Sequence, residues 1–179
     1  FIKKYNNQIY FSFLPSYEGV KIRLTNLDPS LNLDIAKKDL LNFLSLYAYG
    51  EGNETLEVII SKLIKNKGLK LSLAESCTGG FIAKKITDAP GSSDFFLGSI
   101  VAYDDKIKHQ ILDISNYTLD KFGAVSQEVS EAMALNVSKK FNSDISIACT
   151  GISGPDGGSK LKPVGTVYIS IKFLDQLIT

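Results

Sequence analysis

One histidine, two cysteines and one methionine are all that the 179 residues hold of those three types. The histidine and the two cysteines cannot build a four-ligand zinc site, and two cysteines make no disulfide scaffold, so a reducing cytoplasm is the expected compartment. No apolar run reaches membrane-spanning length and no signal peptide is visible. No charge dominates either: 20 basic residues against 19 acidic ones leave a formal net charge of +1. A protein working by phosphate neutralisation would carry a basic stripe, so direct nucleic-acid binding is not expected. Small anionic ligands stay open. The one methionine is Met133 and the first residue is Phe1, so a piece of a longer protein is expected. No internal repeat or low-complexity segment is present.

What is there is an ordinary globular composition, 44% hydrophobic and 22% charged, enough for one good core and a small appendage. Residues 1–30 alternate at Ile9, Phe11, Phe13 and again at Val20, Ile22, Leu24, which predicts a hairpin. Ile35 to Leu46 has helical spacing, making residues 1–50 a small α+β segment. Tyr49-Gly50-Glu51-Gly52-Asn53 is the boundary candidate. Beyond it, helices are predicted over Leu56 to Gly68, Phe81 to Thr87, Ile107 to Leu112 and from Ser126 onward, the last with Ser126 as N-cap. Strands are predicted at Leu69 to Leu73, Leu97 to Tyr103, Ile145 to Cys149 and Val164 to Ile171, the last two closing the series. This alternation implies an α/β fold, three layers with a mostly parallel or mixed sheet covered on both faces.

The stretch Ala74 to Gly80 lies between an apolar run and a helix. It places hydroxyls beside bare backbone at a helix start, where a phosphate or oxyanion is the expected guest. In such sheets ligands bind beyond the carboxyl ends of the strands, so Ser76, Tyr103 to Lys108 and Thr150 to Gly158 are expected around one pocket. A serine nucleophile needs a base, and the residues offer His109, Lys106 or Lys108. Cys77 is a rival nucleophile; it and Cys149 read as packing residues. Four glycines and a proline in Thr150 to Gly158 would expose N–H groups for an anion nest or oxyanion hole, with Asp156 holding the loop's shape. Gly151-Ile152-Ser153-Gly154 matches the GxxG of RNA-binding KH domains. That motif joins two helices, whereas this one follows a strand, so RNA binding through it is not expected.

Glu75-Ser76-Cys77-Thr78-Gly79-Gly80 resembles the signature of the C-terminal domain of the CinA proteins, the nicotinamide-nucleotide amidases. Ala89-Pro90-Gly91-Ser92-Ser93, Gly123-Ala124-Val125-Ser126, and Thr150 to Gly158 with Lys162-Pro163-Val164-Gly165-Thr166 stand in that family's order. The resemblance covers about residues 54–172, and more weakly the first 50, which resemble the KH-like appendage of longer CinA proteins. It implies a bacterial amidohydrolase domain over 54–179 that converts nicotinamide mononucleotide to the acid and ammonia, in pyridine-nucleotide recycling. It selects Ser76 as nucleophile, Lys108 over Lys106 as base and Tyr103 to orient or relay the proton. Glu75, Thr78, Gly79, Gly80, Thr150, Gly151, Gly154 and Gly157 become the expected substrate contacts. No cofactor, metal, membrane or nucleic acid is expected, and a homodimer is the expected assembly. Asp105 departs from the polar residue expected beside Asp104, and Thr179 falls short of the family's final segment. A non-catalytic nucleotide-binding or regulatory module, linked through the family to competence and DNA damage, is the alternative. A nucleic-acid adaptor role for the first segment is a third and weaker reading.

Overall fold

Leu71, Leu73 and Ala74 belong to a strand that is buried along its whole length and hydrogen-bonded on both sides. This strand, β3 (Leu71–Glu75), belongs to the larger of two units into which the computed structural model divides residues 1–179. The units are Phe1–Leu56 and Glu57–Thr179.

In the first unit, β1 (Ile9–Ser16) and β2 (Gly19–Asn26) form an antiparallel hairpin closed at Tyr17-Glu18, followed by α1 (Leu33–Leu44). Asn32 starts that helix by accepting the Asp34 N–H. The unit's core is small: Tyr5, Ile9 and Ala36 are buried, and Phe1, Phe11 and Leu24 pack around them.

In the second unit, α2 (Leu56–Asn66) leads to β3, then α3 (Phe81–Asp88), β4 (Phe96–Val101), α4 (Asp105–Gln110), α5 (Asn116–Phe122) and α6 (Gln127–Phe141). Strands β5 (Ile145–Gly151), β6 (Val167–Phe173) and β7 (Gln176–Ile178) complete it. The sheet order is β4-β3-β5-β6-β7. Strands β4, β3 and β5 are parallel, while β6 and β7 are antiparallel to their neighbours. It is therefore a mixed sheet.

Helix α6 is built as its sequence requires. The Ser126 hydroxyl accepts the Val129 N–H, Glu128 sits in the positive first turn, and Asn142 ends the helix in the left-handed region at φ 51°. Its Val129, Met133, Ala134 and Val137 are fully buried against Ala74, Ala148, Leu112 and Ile114. Truncating Met133 to alanine there would cost about 2–5 kcal/mol. On the opposite face, Ile64 of α2 and Ile86 of α3 pack on Leu71, Leu73, Phe95 and Ile145.

The structure departs from the sequence reading at four places. Strand β3 runs two residues further than expected, because ladders with β4 and β5 continue through Glu75. Helix α5, begun by the Ser115 cap, was not expected. Nor was β7, which folds back after Leu174 and makes β6 the last strand but one. Finally, helices cover both faces only over β4, β3 and β5. On β6 the side chains of Val167, Ile169, Ile171 and Phe173 are 36–51% exposed, while Ser170 points inward and donates to Ser130 Oγ of α6.

Candidate functional site

Because β3, β4 and β5 run parallel, their carboxyl ends reach the same edge of the sheet. Ser76 follows β3, Tyr103 follows β4 with Lys108 on the next helix, and Ile152 to Gly157 follow β5. These segments enclose one hollow of about 290 Å³ lined by Ser76, Cys77, Tyr103, Lys108, Thr150 and Gly151, with Gly154, Asp156 and Gly157 from the loop. A somewhat larger hollow, about 350 Å³, lies between α4 and α5 against Asp105, Lys106, His109 and Asp120. It is lined by no hydroxyl or thiol side chain. His109 belongs to that second hollow, with Nδ1 2.7 Å from the Ile114 carbonyl. A serine–histidine pair is thereby removed.

The turn after β3 is organised differently from the sequence reading. Glu75 is fully buried, and its carboxylate, not a ligand, occupies the start of α3. Oε2 accepts from Thr78 Oγ1 at 2.8 Å and from the Gly80 and Ile82 N–H groups at 3.1 and 3.0 Å. Oε1 accepts from the Ala83 N–H at 2.8 Å and from Ser99 Oγ at 3.2 Å. The donors that a phosphate would seek are thus already taken by the chain's own anion. Glu75, Thr78, Gly79 and Gly80 also lie outside the lining of the hollow. Glu75 builds the turn, a role the sequence reading did not give it. Gly79 and Gly80, at φ 59° and 99°, let the chain bend around it.

Ser76 is 7% exposed, and its N–H donates to the Cys149 carbonyl at 2.9 Å. That bond fixes the residue at the strand end while its side chain lines the hollow. Lys108, on α4, is 2% exposed. Its Nζ donates to the Tyr103 carbonyl at 3.1 Å and to Asp105 Oδ1 at 3.0 Å, so no direct hydrogen bond links it to Ser76. Burying a lysine is costly unless it is paired, and Asp105 supplies the pair from the solvent side. Asp104 caps the helix by accepting the Lys106 N–H, and Lys106 stays exposed outside this hollow. Tyr103 is 71% exposed. Its carbonyl, rather than its phenol, holds the lysine. Asp105 is the residue that sequence reasoning passed over; the signal was an acid three positions before Lys108 on a helix.

The far wall is a strapped turn. Phe122-Gly123-Ala124-Val125 presents four carbonyls, and each has a donor: Lys162 Nζ binds those of Phe122 and Val125 at 2.9 and 2.7 Å, Ser126 Oγ that of Gly123 and Thr150 Oγ1 that of Ala124. Thr150 thus lines the hollow but spends its hydroxyl on the wall. Lys162 ties the glycine-rich loop to this turn from 37 or more residues away. The sequence quoted Lys162 in a motif without a role. Gly151 is needed for close approach, since a Cβ there would come within 3.0 Å of Thr166 O, Val167 and Cys77 Sγ. Gly154, at φ 76°, would meet Val164 at 2.6 Å; Gly157 at φ 88° turns the loop.

Cys77 and Cys149 stand beside the serine with their sulfurs 3.6 Å apart. Both are free thiols. Burial, and then the hydrogen bond to Cys77, push the Cys149 thiol up to about 12, so it rests protonated at neutral pH.

Comparison with known proteins agrees with this architecture. Residues 53–179 match the CinA C-terminal domain family. A CinA-like protein of Geotalea uraniireducens is 53% identical over 125 residues, covering 70% of this chain and 30% of that protein. One of Pseudothermotoga lettingae is 45% identical over 156 residues, covering 87% and 38%. The chain therefore spans 30–38% of the length of these relatives. Among solved structures, the competence/damage inducible protein CihA of Agrobacterium tumefaciens is similar with a TM-score of 0.67 at 37% identity, over 69% of this chain and 75% of that one. A competence-damaged protein (CinA) superfamily protein of Escherichia coli gives 0.68 at 31%, over 75% and 81%. The chain belongs to the CinA C-terminal domain family.

Proposed function

We propose that residues 54–179 form an amidohydrolase domain that deamidates nicotinamide mononucleotide to nicotinic acid mononucleotide and ammonia, with residues 1–50 as a KH-like appendage. The observation that carries the reading is a buried lysine and a serine hydroxyl facing one hollow outside the carboxyl ends of three parallel strands. Ser76 Oγ attacks the carboxamide carbon. Its proton passes to the Lys108 amine through a water, since no hydrogen bond joins the two side chains. The oxyanion takes N–H groups the chain leaves unengaged, at Cys77 beside the nucleophile and at Ser153 and Gly154 across the hollow. Collapse of the tetrahedral species returns the proton to the leaving nitrogen and expels ammonia. Water then attacks the Ser76 ester, yielding the acid and the free hydroxyl.

Asp105 and the Tyr103 carbonyl hold Lys108 in place, so Tyr103 acts through its backbone. Thr150, Gly151, Gly154 and Gly157 shape the walls for the nucleotide. The missing Ser76–Lys108 hydrogen bond supports the second reading, a nucleotide-binding module, which entails affinity without turnover.

Intact-mass analysis of rapidly quenched protein separates the two. The amidase reading expects a transient adduct on Ser76 equal to the nucleotide less ammonia, absent from Ser76→Ala. Saturable binding with no adduct and no ammonia would leave the binding-module reading standing.

A further inference from the structure

We propose that Cys77 and Cys149 are an oxidation site, a dithiol that peroxide converts to a disulfide on the floor of the hollow, distorting the turn beside Ser76. Three observations bring the pair together. Strands β3 and β5 are parallel neighbours with Glu75 opposite Cys149, so the chain leaving β3 passes directly over that cysteine. The Ser76 N–H bond to the Cys149 carbonyl holds the crossing closed at 2.9 Å. The two sulfurs then meet at 3.6 Å, 72 residues apart in sequence. A disulfide is about 2.05 Å long, so the sulfurs need to close by only about 1.5 Å.

The two thiols are unequal in access. Cys77 is half-buried and lines the hollow, whereas Cys149 is 2% exposed beneath it. Peroxide entering from solvent therefore meets Cys77 first. The Cys77 thiolate attacks one peroxide oxygen, the O–O bond breaks, and Cys77 becomes a sulfenic acid while the other oxygen leaves as water. Cys149 sulfur then attacks Cys77 sulfur, its thiol proton goes to the departing hydroxyl, and a second water leaves. Two electrons pass from two thiols to one peroxide. A thiol such as dithiothreitol reverses the product by exchange.

Only one partner can move. Cys149 is locked in a strand paired on both sides, to Glu75 and to Ile169. Cys77 lies in the turn, its sulfur packed on Gly151, with a Cβ position there only 3.0 Å away. Closing the bond must draw Cys77 toward β5 and turn its N–H and the adjacent Ser76 out of their resting positions.

The test treats the 179-residue protein with hydrogen peroxide, follows intact mass and free thiols, and repeats both in Cys149→Ala and Cys149→Ser. The expected product is about 2 Da lighter, with both thiols lost and both regained in dithiothreitol. Neither variant should form it. Loss of 2 Da in the variants too would mean that Cys77 closes on a backbone nitrogen. Persistence of the Cys149 thiol while Cys77 gains oxygen, or a linkage between chains, would equally overturn the proposal. These readouts need no enzymatic activity, so they stand apart from the amidase reading. If that reading holds, oxidation should cut turnover at least about tenfold in the native protein, reversibly, and not in Cys149→Ser; an oxidised protein with full turnover would refute the distortion of the turn.

Discussion

Replacing Glu75 by glutamine changes one buried atom and should cost much more stability than activity. The carboxylate accepts five hydrogen bonds, three at Oε2 and two at Oε1. With the amide oxygen in the Oε2 position, glutamine keeps the bonds from Thr78, Gly80 and Ile82. Its NH₂ group then faces the Ala83 N–H, while Ser99 can rotate its hydroxyl to accept. One buried N–H is stranded, at about 1–3 kcal/mol, and the negative charge at the start of α3 is lost, at about 0.3–1 kcal/mol. The sum is about 1–4 kcal/mol, a large part of the 5–15 kcal/mol typical of a domain. Urea unfolding should show the midpoint falling with an unchanged slope. Turnover per folded molecule should stay close to wild type, because Glu75 does not line the hollow. A stability change below about 0.5 kcal/mol, within the range of ordinary surface substitutions, or a raised KM at unchanged stability, would refute the structural role and return Glu75 to the substrate.

Three further outcomes follow from the site. Lys108→Ala should lower kcat by about a hundred- to ten-thousandfold, the usual range for a general base, while Lys106→Ala does little; equal losses in steady-state assays would remove the assignment. Lys162→Met breaks the strap between the loop and the 122–125 turn. KM should rise about tenfold, or about 1.4 kcal/mol, with kcat much less affected, and Lys162→Arg should restore part of it. The third outcome concerns pH. Cys149 is raised from 9.0 to about 12, so its contribution is whole below 9.0 and is lost as pH rises toward 12, where the unfolded thiol ionises first. The stability gap between wild type and Cys149→Ala should shrink by about 1 kcal/mol per pH unit in that window, and a gap that widened in alkaline urea titrations would contradict the burial.

What could be read from the chain was what local chemistry decides. Ser126 announced a helix because its cap bond reaches only to Val129, and the hairpin showed in its alternation. The three segments of the hollow could be placed because each follows an apolar strand. The part Glu75 plays in its turn could not be read, since its partners include Ser99, 24 residues on, across a β-ladder. The seven residues of α5 carry too little periodicity to stand out. Strand β6 misleads: Val167, Ile169, Ile171 and Phe173 suggest an inward face. Pairing with β5 sets the opposite register, putting Ser170 beside Ala148 under α6. Lys108 is selected over Lys106 by its position on α4, a feature only a resemblance could supply beforehand.

The most direct measurement is ammonia release from nicotinamide mononucleotide by the purified wild-type chain beside Ser76→Ala. The account predicts one ammonia per nicotinic acid mononucleotide from wild type and a loss of nearly all of it in the variant, with the fold unchanged by circular dichroism. A folded wild-type chain that binds the nucleotide and releases none, or a Ser76→Ala protein that keeps its turnover, would contradict it.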